Sequence, residues 1–156
     1  MLISRKTYIV TAAVFFAGSI AALYFVVFLG GCIFLPMYSK SFIVARWLNL
    51  TIICCACALA VASVSFFFSS VFAANKWGFT LMIAIPVLFM LLVMIGGTSA
   101  ELLFLTKLSP YGWFEYEKIA RGVFDTWWVY DIIFVGIIAA LFTAALYIFK
   151  RKQLSI

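Results

Sequence analysis

The 156-residue chain has no histidine, only three prolines, five acidic residues and a charged fraction of 10%. The missing histidine removes histidine-ligated haem, histidine-based zinc sites and the serine-histidine-aspartate constellation together. No phosphate-cradling loop of the form G-x-x-x-x-G-K-[ST] occurs. The few acids form no catalytic pair, because Glu115 and Glu117 stand two apart and diverge on a helix. Charge this sparse excludes a soluble globular domain, in which about a quarter of residues are charged and about half apolar. Disorder, a disulfide scaffold and a nucleic-acid binder are excluded on the same composition. The expectation is a chain that is not itself an enzyme and carries no cofactor.

What the sequence holds instead is apolar bulk, 68% of it, with 18 Phe and a mean hydropathy of +1.24. This material falls into four runs, and the fold class expected is all-α: a single membrane domain over 1–156 with four transmembrane helices. The spans are placed at 8–35, 48–74, 77–95 and 127–149. The first run is 28 residues, about 42 Å of helix against a hydrocarbon core of about 30 Å. It must tilt, bend or end early; Gly30-Gly31 and then Pro36 offer the stop, and Gly18-Ser19 a softening in mid-run. A signal peptide is the competing reading, since Arg5 and Lys6 precede the run. Its apolar length is about twice the ~7 to 15 residues of a signal core, and no clear cleavage site follows, so it reads as a retained span. Pro86 inside the third run is tolerable where neighbouring helices satisfy the freed carbonyl.

The formal charge of +6 gains meaning from position. Four spans put both termini on one side, where Arg5, Lys6, Lys76, Lys150, Arg151 and Lys152 stand without an acid. Across the membrane, Lys40, Arg46, Lys107, Lys118 and Arg121 are balanced by Glu101, Glu115, Glu117, Asp125 and Asp131. By Lys/Arg count the margin is thin, six against five, so the placing of the termini in the cytoplasm leans on the cluster Lys150-Arg151-Lys152.

The outer segment, 96–126, is the one long connection and holds four of the five acids. Connections of this length carry function or structure of their own. From Trp113 onward, Tyr116, Ala120, Val123 and Trp127 recur at spacings of 4, 3 and 4, which predicts an interfacial amphipathic helix before the last span. Glu117 and Arg121 form a favourable i, i+4 pair on another face. Trp113, Tyr116, Trp127 and Trp128 read as interfacial anchors, in preference to substrate contacts. Asp125 and Asp131 fit as helix-start carboxylates facing the positive end of the dipole, and Glu101, Asp125 and Asp131 are also the candidates for a path or interface role.

Cysteine is the one residue type here suited to chemistry. Cys54 and Cys57 form C-x-x-C with both thiols on one helical face, and Cys32 is a possible third member of a membrane dithiol oxidase. The competing reading is packing: these thiols sit among Ile, Ala and Leu, and apolar burial opposes thiolate formation. Ser63, Ser65, Ser69 and Ser70 back-bond to their helix or bridge to another, and Phe66-Phe67-Phe68 face lipid or pack.

Two stretches resemble a known family. Ser65-Phe66-Phe67-Phe68-Ser69-Ser70-Val71-Phe72, followed by Asn75-Lys76 and a further span, is similar to the S-x-x-F-S-S-x-F segment of permease subunits of ABC-2 type ABC transporters, of the gliding-motility and nitrous-oxide-reductase-maturation type. Leu108-Ser109-Pro110 and then Tyr116-Glu117-Lys118-Ile119-Ala120-Arg121-Gly122-Val123-Phe124-Asp125 resemble that family's R-G-V-I-D ending, before a last span closed by Phe149-Lys150-Arg151-Lys152. The resemblance covers about 65–152. It implies six spans with both termini cytoplasmic, an outer segment with short re-entrant or interfacial helices, and a separate ATPase subunit. The chain matches the last four spans, so a split gene, a minimal permease or an accessory subunit would each account for the absent front.

The function expected from this resemblance is a permease-like subunit of an ABC-2 type transporter, or of a complex derived from one, in the bacterial cytoplasmic (inner) membrane. Its partners would be a cytoplasmic ATP-binding subunit, additional membrane subunits or a second permease copy, and the bilayer, with no nucleic acid. The alternatives are an accessory subunit of a larger membrane complex without its own path, and a dithiol oxidase using Cys54 and Cys57.

Overall fold

A computed structural model describes residues 5–38, 43–72, 77–123 and 126–151, and every regular element among them is helical. Long uncharged runs can satisfy their backbone in a bilayer only as helices or closed barrels, and these runs take the helical solution. α1 (Arg5–Tyr38), α2 (Val44–Val71) and α6 (Trp127–Arg151) are the three helices long and apolar enough to cross a membrane, which makes the chain an integral membrane protein. α3 (Trp77–Gly96) is uncharged over its 20 residues and apolar but for Thr80. Two short helices, α4 (Leu103–Leu108) and α5 (Tyr116–Arg121), and two single 3-10 turns lie between α3 and α6.

The helix limits differ from the sequence expectation in instructive ways. α1 runs through Gly30-Gly31 unbroken and takes Pro36 into its last turn, so the expected stop at the glycine pair does not occur. Gly31 serves close packing instead: the Trp47 indole lies where a Cβ would project. The same indole donates from Nε1 to the Phe28 carbonyl at 3.1 Å, fastening α2 to α1. α2 begins at Val44, four residues before the expected start, because Arg46 and Trp47 are its first turn and not part of the preceding loop. It contains neither glycine nor proline over 28 residues and ends at Phe72, whose N–H bonds back to Phe68. Pro86 stands inside α3 without ending it, removing the N–H that would have reached the Met82 carbonyl.

α2 is the centre of the bundle, packed against α6, α3, α1 and α5. Its most apolar window is 33% buried, against 11% for α6 and none for α1, which packs mainly on α2 and otherwise faces outward. Ile53, Cys57 and Ala60 of α2 and Phe134 of α6 meet Phe114 and Ile119 of the connecting segment to form the core. Residue order fixes direction. Ile53 and Cys57 share this core with Phe134, and eight to nine residues on, Phe66 stacks on Phe142 with ring centroids 5.8 Å apart, so α2 and α6 run the same way. Both start at the end covered by α4 and α5, the capped end, and descend to the open end.

Ser63, Ser65 and Ser70 of α2 need no second helix. Ser63 donates to the Ala60 carbonyl (2.7 Å), Ser65 to Val61 (3.1 Å) and Ser70 to Phe67 (2.7 Å), so their hydroxyls are satisfied by their own helix.

Candidate functional site

The segment between α3 and α6 is seated on the capped end of the α2–α6 seam, and short-range chemistry shapes it. Ser109 and Pro110 start a tight turn: the Ser109 hydroxyl accepts from Tyr111 N–H at 3.3 Å, Pro110 occupies the position that has no need of an N–H, and Ser109 is fully buried. The turn sends Phe114 inward, where it meets Phe134 edge to face at 6.1 Å and Tyr116 at 4.7 Å. Trp113 stacks on the same Phe134 and donates from Nε1 to the Lys107 carbonyl at 2.8 Å.

The expected amphipathic helix is shorter than its pattern and buries a different residue. α5 covers six residues and stops because Gly122 takes the left-handed conformation, φ +73°. Gly122 N–H then bonds to Ile119 O and Val123 N–H to Lys118 O, the two bonds of a Schellman cap. The run from Trp113 to Trp127 is therefore not one helix. Ala120 and Val123 of the expected apolar face are exposed, Tyr116 is 40% exposed with its ring on Phe114, and Ile119 is the side chain that enters the core. The Glu117–Arg121 pair forms at 3.3 Å, and Lys118 pairs with Glu115 at 2.8 Å, both on the open surface.

Of the aromatic anchors, Trp127 is half-buried against the core, Trp128 is exposed, and Trp113 and Tyr116 each present a polar handle bonded within the segment. The Tyr116 hydroxyl donates to the Tyr111 carbonyl. Burial, and then the neighbouring thiols of Cys54 and Cys57, push the Tyr116 phenol well above its usual range; burial and Cys57 raise Tyr111 as well.

Around these phenols the fold assembles a group invisible in any one stretch of sequence. Tyr24 of α1 lies within electrostatic reach of Cys54, Cys55 and Cys57 of α2 and of Tyr111, and Tyr116 within reach of Cys54, Cys57, Tyr111 and Tyr24. Cys57 is fully buried in the core and Cys54 packs against it, and all four cysteines are free thiols. Cys32 does not join them: it neighbours Gly31 at the level of Trp47, seven residues or about 10 Å along α2 from Cys54. Among the described residues no group of His, Cys, Asp or Glu is arranged to hold a metal ion.

The three candidate acids have separate fates. Glu101 sits exposed in a single 3-10 turn, Ala100–Leu102. Asp125 lies outside the described residues. Asp131 is the fifth residue of α6, one turn deeper than a helix-start carboxylate, and so beyond the reach of most of the dipole. Its Oδ1 is buried with no hydrogen-bond partner, and it lies within electrostatic reach of Cys55 across the seam. Sequence reasoning missed Trp47, Tyr24, Ser109 and Ile119. Only Ser109-Pro110 had a local signal, the turn-forming pair.

Compared with protein-family profiles, with curated proteins and with solved structures, the chain matches none.

Proposed function

We propose that the chain is a permease-like transmembrane subunit of an ABC-2 type transporter, or of a complex derived from one, working with a separate cytoplasmic ATP-hydrolysing subunit and with other membrane subunits. In this reading α3 is the remaining span, its 20 residues giving about 30 Å of helix, enough for the hydrocarbon core. Both termini are then cytoplasmic in a bacterial inner membrane, and the capped end faces outward.

The observation that carries the reading is the segment between α3 and α6, folded as short helices and turns over the seam in front of the last span. The two stretches that resemble the family flank the same architecture. Ser65 to Phe72 forms the last turns of α2 before α3, and Arg121-Gly122-Val123 ends α5 before α6. The seam itself is filled by Ile53, Cys57, Phe114, Ile119 and Phe134, so a substrate path would form where this chain meets another subunit. That filled seam also favours the second reading, an accessory subunit without a path. Full burial of Cys57 and partial burial of Cys54 leave the dithiol-oxidase reading with the least support, since a reactive thiolate needs an electropositive, accessible setting.

The test is purification of the tagged chain from its native membranes in mild detergent, with identification of what accompanies it. A protein bearing nucleotide-binding motifs, in fixed ratio and with ATP hydrolysis that depends on the complex, is expected. A stable complex without any ATPase would overturn the transporter reading and leave the accessory one.

A further inference from the structure

We draw no further inference here: the strongest candidate, the apolar groove at the junction of α1, α2 and α6 lined by Ala13, Ala17, Leu59, Ala62, Ile138 and Phe142, is open on one side and nothing in the structure shows what covers it.

Discussion

Trp113 stacks on Phe134 with ring centroids 5.9 Å apart and planes within 10° of parallel. This contact joins the segment between α3 and α6 to the last long helix, and Phe134 is fully buried beneath it. Phe134→Ala is therefore expected to loosen the cap before it unfolds the bundle. In a water-soluble core the change would cost about 3–5 kcal/mol. The bilayer removes much of the hydrophobic transfer part, because lipid tails are as apolar as the core, and leaves the packing and aromatic parts, on the order of 2 kcal/mol. Proteolysis after Lys107 and Lys118 should accelerate about tenfold or more, with α2 and α6 still resistant; unchanged cleavage would show that the stack does not hold the segment.

Trp47 and Gly31 make the corresponding contact between α1 and α2. Gly31→Leu is expected to expel the indole, break its hydrogen bond to the Phe28 carbonyl and separate α1 from α2 near the capped end. Two spin labels, on Val27 and Leu48, would report a longer and broader distance distribution, while the α2–α6 packing stays as it is. Trp47→Phe keeps most of the ring and loses the bond alone, a loss of about 1 kcal/mol.

Gly122 ends α5 in a conformation that costs an L-residue about 1–2 kcal/mol. The Arg46 guanidinium also lies over it, in the space a Cβ would enter. Gly122→Ala combines both effects and should destabilise the cap by about 2 kcal/mol. Gly122→Asn, which tolerates the left-handed region better, should recover part of the backbone loss but not the crowding against Arg46. Melting of the two variants in the same detergent separates the contributions; equal melting points would leave crowding as the whole effect.

These glycines show where the sequence could be read and where it could not. Long uncharged runs made the long helices legible, because a bilayer admits few other solutions for them. Their limits were less legible. Gly30-Gly31 has the composition of a helix stop, yet Gly31 is used for approach to Trp47, a partner 16 positions away in the chain. The spacing of Tyr116, Ala120 and Val123 has a helical period, but Gly122 interrupts it, and the choice of Ile119 as the buried residue depends on Ile53, Cys57 and Phe134. Asp131 stood out as an acid at the start of an apolar run. The burial of one of its oxygens arises only in the packed bundle, which no local pattern encodes.

Tyr116 ties the cap to pH. Its hydroxyl donates to the Tyr111 carbonyl, and burial first, then the thiols of Cys54 and Cys57, keep the phenol neutral well past its usual range. In the unfolded chain the same phenol ionises near pH 10. The folded value is raised, so the contribution is fully present below about pH 10 and is lost as pH climbs through the folded value, because over that window only the unfolded state releases the proton. Protein stability in detergent should thus be flat through neutral pH and fall above about pH 10, with Tyr116→Phe removing part of the fall. The variant also gives up the hydrogen bond to Tyr111, which lowers its stability by about 1 kcal/mol at neutral pH. Ultraviolet titration gives a direct check: absorbance at phenolate wavelengths should show one fewer late-titrating tyrosine in Tyr116→Phe. A Tyr116 that titrates with the exposed tyrosines would mean that the cap does not exclude water from its seat on the seam.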